Sequence, residues 1–450
     1  METPLADRHP PLTAAPSPAP GEAASALARA ATAALPGDPD EVTLVIRATG
    51  LLHAYGTPAH RLERVVVNLA ESRGLSVEVF STPTSILLGF GAEVEDRVRL
   101  LRVEPGGVDL GRLEDLDELL DEVSAGALAP AVALERLDAL DAAAPRWSAP
   151  AVLLGHGLAA GGAAAFFGGS LPDALLSFAL GLVIGVLQRV ASRRQGVARI
   201  FEPLAAGTAA AAALAAAHLS DGRINDGVVA LASIIVLVPG LSLTVALLEL
   251  ATRNLASGTA RLAGAATVFL TIGFGALLGR FAVQAALGPG APPALERAAD
   301  PWLASAPGLG LTLLFASAGF SLLFRVRPTE MGWVAAACGF GFGTARVTGS
   351  LGAGVGSVES AALSAFSGAL AVGIFSNAYA RLRDRPALVP LVPGLLVLVP
   401  GAVGYRALSA LAKQDTMAGI ETAFQMLLLA AALVGGMLTA NAVLPPRRML

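Results

Sequence analysis

The sequence predicts a mainly α-helical integral membrane protein. It predicts ten transmembrane helices, arranged as two inverted five-helix repeats, behind a small α+β cytoplasmic domain. Three observations carry this expectation. Of the 450 residues 54% are hydrophobic, more than a soluble domain averages. After Pro150 the apolar residues gather in runs near the twenty or so that a helix needs to cross hydrocarbon. A five-residue motif, Val236-Leu237-Val238-Pro239-Gly240, returns 161 positions later as Val397-Leu398-Val399-Pro400-Gly401.

Residues 1–40 form an Ala/Pro-rich arm, expected to be disordered. They hold no basic start followed by an apolar core, so no signal peptide is expected. Residues 41–145 read as the α+β domain. Leu62, Val65, Val66 and Leu69 recur at helical spacing, and Gly74 ends that helix. Residues 76–80 alternate as a strand, and 84–90 and 97–103 suggest two more. Leu113, Leu116 and Leu120, then Leu134, Leu137 and Leu140, mark two further helices.

The first membrane repeat is placed at 146–285, a periplasmic linker at 286–300 and the second repeat at 301–445. Spans are expected near 150–169, 172–190, 200–219, 227–248, 259–281, 303–324, 330–346, 353–379, 387–407 and 418–441. Long continuous runs favour helices over the alternating segments of a barrel. Charge sets the orientation. Residues 1–148 carry about −11 and the remainder about +7. With the N-terminal domain in the cytoplasm, thirteen arginines fall on cytoplasmic loops and the tail, against six basic residues opposite. Arg189, Arg193, Arg325, Arg327, Arg383 and Arg385 are among the thirteen. Both termini are therefore expected in the cytoplasm, in the inner (plasma) membrane.

Other matches support the repeat. Gly258 maps onto Gly419, Gly181 and Gly185 onto Gly339 and Gly343, and Glu202 onto Glu359, at offsets of 157 to 161. An odd number of spans per unit inverts the second unit, a recurrent transporter plan with a site at the repeat interface.

Proline frees a carbonyl inside a helix, and in lipid that carbonyl must face protein or a wet cavity. Pro239 and Gly240 are therefore candidate pathway residues. So are Pro393, Gly394, Pro400 and Gly401, which make the ninth span appear still more broken. The competing reading is a packing kink. Ionisable residues in spans are functional candidates: Glu202 and Glu359 near helix starts, and Glu249 with Asn254 after the Pro239 kink. Glu249 could instead pair with Arg253 at i+4. His156 is either a proton relay or a packed histidine. The Gly339, Gly341, Gly343 and Gly352, Gly354, Gly356 patterns suit close helix contact. Cys338 reads as packing. Lys413, the lone lysine, is not in a Walker A loop, so uphill transport would draw on an ion gradient or a partner. No cofactor, metal site or nucleic-acid surface is expected.

The chain resembles the threonine/serine exporter family over most of residues 41–445. In the soluble part the resemblance rests on Leu51-Leu52, Gly56 to Glu63, Phe80 to Ile86 and Asp109 to Leu113. In the membrane part it rests on Leu237 to Gly240 with Glu249, Asn254 and Ser257-Gly258, and on Leu398 to Gly401 with Gly404-Tyr405-Arg406. Leu62 stands where the family tends to have Val. The resemblance implies export of threonine and serine driven by the proton-motive force, with protons as coupling ion. A homo-oligomer is compatible with it. The alternatives are export of small dicarboxylates, a membrane-tethered hydrolase using Ser81, Thr82, Thr84, His53 or His60, and a ligand sensor.

Overall fold

The computed structural model describes residues 39–91, 97–104, 107–288, 300–351, 357–398, 401–412 and 414–446. The N-terminal arm, most of the 286–300 linker, Pro400, Lys413 and Gly352, Gly354 and Gly356 lie outside the described residues.

The soluble part contains α1 (Asp40–Ala54), α2 (Ala59–Ser72), β1 (Val77–Thr82), β2 (Ser85–Phe90), β3 (Arg97–Arg102), α3 (Leu110–Ser124) and α4 (Pro130–Ala142). The strands form one antiparallel sheet in the order β1-β2-β3. The amphipathic helix expected around Leu62 is α2, whose Leu62, Val65, Val66 and Leu69 are buried. Helix α1 is an addition to the sequence reading. Residues 43–53 are buried along its whole circumference, so no polar face alternates with an apolar one to mark a helical period.

The membrane part contains α5 (Ala149–Phe166), α6 (Leu171–Ala191), α7 (Gln195–Ala198), α8 (Phe201–Leu219), α9 (Asp226–Ser233), α10 (Gly240–Ala251) and α11 (Leu255–Leu287). It continues with α12 (Pro301–Ala304), α13 (Ala306–Leu323), α14 (Met331–Leu351), α15 (Ser357–Arg383), α16 (Leu388–Leu396), α17 (Gly401–Ala412) and α18 (Thr416–Val443). Among the described residues seven segments are long and apolar enough to cross a membrane. They are α5, α6, α11, α13, α15, α18 and the stretch Leu388–Leu411, which holds α16 and most of α17. Small residues set the closest approaches. A Cβ added at Gly275 or Gly279 of α11 would lie 2.1 Å from the carbonyl oxygen of Pro203 or Gly207 in α8.

The soluble part docks on the ends of membrane helices by ion pairs and backbone contacts. Leu110 N–H donates to the Phe324 carbonyl at 2.9 Å, and Arg325 donates to Asp109 at 2.8 Å. Gly111 is required here: an added Cβ would lie 2.4 Å from the Arg325 carbonyl oxygen. Arg327 reaches Asp115 and, at 2.7 Å, Glu118, which also pairs with Arg385. The indole of Trp147 donates to the Val326 carbonyl. Asp109, Asp115 and Glu118 belong to the negative part of the sequence, and the arginines to the loops that carry its positive excess.

Glu114 is fully buried in this joint. Its carboxylate is 3.5 Å from Arg327 Nε, and neither oxygen accepts a hydrogen bond among the described residues. Burial pushes its pKa up from 4.5 to about 7; Arg327 and Arg385 oppose the shift, and Glu330 and Asp115 add to it. A raised carboxyl pKa means that the docked state holds a proton the free state has lost. Docking is then strongest below about 4.5 and weakens as pH rises to about 7. Hydrogen exchange on the full chain should show α3 amides losing protection between about pH 4.5 and pH 7. Glu114→Gln should flatten that response. An unchanged pH response in Glu114→Gln would locate the sensitivity elsewhere.

Candidate functional site

The span expected at 227–248 is two helices, α9 and α10, separated by residues 234–239. Pro239 has no N–H to give, and the chain there makes short turns: Leu237 N–H bonds the Ile234 carbonyl at 2.8 Å and Gly240 N–H bonds the Val238 carbonyl at 2.8 Å. The carbonyls of Ile235, Val236 and Leu237 accept no backbone hydrogen bond among the described residues. These three residues are half-buried, whereas Val238, Pro239 and Gly240 are buried. The same pattern recurs 161 positions on. Leu396, Val397 and Leu398, at the end of α16, are half-buried, and Gly401, opening α17, is buried.

The two interruptions touch. A Cβ added at Gly401 would lie 2.7 Å from Val238 Cγ1 and 3.6 Å from Gly240 Cα. Val236, Leu396 and Val397 pack on one cluster with Ala159 of α5 and Ala316 and Phe320 of α13. Sequence reasoning paired the motifs by repetition, and the geometry brings them into contact. Pro393 and Gly394 differ from expectation. Helix α16 continues through Pro393, because α14, α15 and α10 enclose it. An added Cβ at Gly394 would meet Val372 and Ala337.

Beside this crossing, between α9 and α17, lies a cavity of about 420 Å³ whose walls include Leu231 and Tyr405. It faces the end of the bundle away from the soluble part. The first turn of α9 borders it, while the last turn of α10 carries Glu249, which holds the soluble part.

Glu249 is fully buried. It does not pair with Arg253, because α10 ends at Ala251 and i+4 spacing is lost; Arg253 sits in the following turn with φ of 67°. The partner is Arg261 of α11, which makes a bidentate pair at 3.1 Å on each oxygen. Glu249 also accepts from Ser257 Oγ at 2.9 Å and from the Ala59 N–H opening α2 at 3.1 Å. It thus ties the soluble part to α10 and α11. Asn254 precedes α11 and donates to Thr252. Glu202 and Glu359 lie in the first turns of α8 and α15. Glu202 is half-buried and Glu359 exposed, and neither joins the crossing by a hydrogen bond or ion pair among the described residues.

His156 is packed, with Gly181 and Gly185 against it. Their repeat counterparts Gly339 and Gly343 make no such close contact. In the soluble part, His53 Nε2 lies 3.2 Å from the Pro83 carbonyl, and His60 Nδ1 is buried without a partner among the described residues. Burial lowers the two pKa values to about 4 and about 3, so both rings are neutral at pH 7. Ser81 N–H donates to Glu63, whose pKa burial raises.

A family model described as "Putative threonine/serine exporter" matches residues 43–281, and a second, "Threonine/Serine exporter, ThrE", matches 310–443. The "Probable threonine/serine exporter" of Mycobacterium tuberculosis is 30% identical over 328 residues, covering 70% of this chain and 59% of that one. "Pheromone-regulated membrane protein 10" of Eremothecium gossypii is 24% identical over 376 residues, covering 80% and 48%. The protein of that name in Candida albicans is 26% identical over 396 residues, covering 87% and 34%. The chain thus spans half or less of the length of these fungal relatives. No solved structure matches.

The contact at the crossing makes a steric prediction. Gly401→Val should overpack Val238 and destabilise the protein by about 1–3 kcal/mol, read as a lowered Tm in detergent. Val238→Ala in the same chain should recover at least half of the loss. A Gly401→Val variant that melts with the wild type would mean that the two interruptions do not touch.

Proposed function

Because the chain belongs to the threonine/serine exporter family, we propose that it is a secondary exporter of small hydroxy amino acids, threonine and serine, coupled to the proton-motive force. It works in the inner (plasma) membrane with both termini in the cytoplasm. The observation that carries this reading is the contact between two interrupted helices whose motifs repeat, with three carbonyls at one of them that accept no backbone hydrogen bond among the described residues. A polar solute crossing an apolar bundle needs hydrogen-bonding groups along its path, and helical backbone supplies none. An interruption supplies them.

On this reading the chain crosses ten times. Helices α8 and α14 and the α9–α10 pair add three passes to the seven most apolar ones. Helices α5, α6, α8, α9–α10 and α11 form one unit, and α13, α14, α15, α16–α17 and α18 its inverted counterpart. In support, corresponding pairs pack alike: α8 on α11 as α15 on α18, and α10 on α11 as α17 on α18. Pro239, Gly240 and Gly401 lie at the moving contact between units, and Pro400 precedes Gly401 in the repeated motif. Glu202 and Glu359 are the candidates for proton coupling. The soluble part regulates or supports transport by docking through Glu249 and the arginine clasp, and performs no catalysis.

Threonine efflux from loaded cells, normalised to inserted protein, tests the reading. Pro239→Ala and Pro400→Ala should each slow efflux several-fold as the backbone ladder closes, and Glu202→Gln or Glu359→Gln should remove its pH dependence. Wild-type rates in both proline variants would reduce the motif to a packing kink. Efflux of a small dicarboxylate without threonine or serine would replace the substrate. Reporter fusions at 195, 290 and 384 should read cytoplasm, periplasm and cytoplasm. A cytoplasmic signal at 290 would break the five-plus-five arrangement.

A further inference from the structure

The cavity beside the crossing carries more than apolar walls. Its lining comes from both proposed units: Phe167, Asn225, Val228 and Leu231 from the first, and Arg406 and Asp415 among those from the second. Arg406 has no carboxylate partner among the described residues; its guanidinium lies over the Phe167 ring, 5.9 Å from the centroid. An aromatic face holds the cation in place and leaves its N–H donors free for a ligand. Asp415 caps α18, with one oxygen accepting from Ala418 N–H at 3.2 Å, and its second oxygen accepts no hydrogen bond among the described residues. One cavity is thus lined by a planar cation and a carboxylate. Its 420 Å³ lies within the roughly 300–1,000 Å³ of small-molecule sites.

From this arrangement we infer that the cavity is a binding subsite for the α-amino-acid zwitterion at the end of the pathway away from the soluble part. Arg406 takes the α-carboxylate and Asp415 the α-ammonium, and the short side chain lies against Val228 and Leu231. The inference rests on the amino-acid exporter reading and deepens it. A guanidinium matches a carboxylate through two parallel hydrogen bonds, and an ammonium needs a carboxylate within reach. Because the cavity walls belong to two units, motion between those units would open or close the subsite. The site thereby selects by the charged groups common to amino acids, and leaves the choice of hydroxyl side chain to the pathway below it.

Full-length protein in proteoliposomes tests this with three solutes: threonine, threonine amide, which lacks the carboxylate, and N-acetylthreonine, which lacks the ammonium. Wild type should prefer threonine to either by about tenfold or more, the effect of one charged hydrogen-bonding pair. Arg406→Gln should lower threonine transport about tenfold and bring threonine and its amide to similar rates, while Arg406→Lys restores part of the preference. Asp415→Asn keeps a good helix cap and should erase discrimination against N-acetylthreonine alone. If Arg406→Gln slows threonine and its amide equally, the arginine is structural and the inference fails. If both variants transport as wild type does, the inference fails and the exporter reading stands. If the wild type moves no amino acid, both fail.

Discussion

The contact between Gly401 and the Val238–Gly240 turn is the packing constraint on which the helices around it depend. Pro239 has no N–H to offer the Ile235 carbonyl, Gly240 N–H turns to Val238 instead of Val236, and the carbonyls of Ile235 to Leu237 accept no backbone hydrogen bond among the described residues. In hydrocarbon each such group costs several kcal/mol. The chain covers the break with a second copy of the same motif: Gly401 sits against Val238 and Gly240, close enough that glycine is the residue that fits. Helices α5 and α13 close the remaining side through Ala159, Ala316 and Phe320. Residues 235–237 stay half-buried beside this contact, while Val238, Pro239 and Gly240 are buried in it.

The soluble part is joined to this bundle by charge. The acidic run in α3 meets Arg325, Arg327 and Arg385, and Glu249 and Arg261 form a second tie at α2. Glu249 is fully buried, so removing Arg261 would leave an unpaired buried charge at this tie; the arginine pairs on α3 are part-exposed, and they act together rather than singly. They also link two facts that the sequence presents separately. Part of the negative charge of the first third and the positive charge of Arg325, Arg327 and Arg385 are the two sides of one interface. The same interface holds a carboxyl, Glu114, that titrates near neutral pH, and it reaches α10, the helix that leads out of the first interruption.

Much of this was legible from residue patterns because local periodicity carried it. The α2 stripe, the alternating strand at 76–80 with the two strands suggested after it, and the repeated Val-Leu-Val-Pro-Gly motif were each readable locally. What was hidden depends on partners distant in sequence. Helix α1 has no amphipathic signal because it is buried all round. The partner of Glu249 lies twelve positions away across a turn, where i+4 reasoning cannot reach. Gly181 and Gly185 make tight contacts that their counterparts Gly339 and Gly343 do not, since a repeat conserves position in the chain more readily than neighbours. Pro393 sits inside a continuous helix because its surroundings enclose it. Arg406 was visible only within a family motif, and Asp415 gave no signal at all: a helix cap and a loop aspartate look the same until the cavity is formed.

Two units that meet at the Gly240–Gly401 crossing should move against each other around it. The single cysteine, Cys338, makes a direct measurement practical. In a Cys338→Ala background, spin labels at Gly227 and Ala410 would flank the cavity, one on each unit. This pair should show two distance populations, with threonine shifting weight from one to the other, while a pair within one unit stays unchanged. A single distance unaffected by threonine, serine or a proton gradient would contradict this motion.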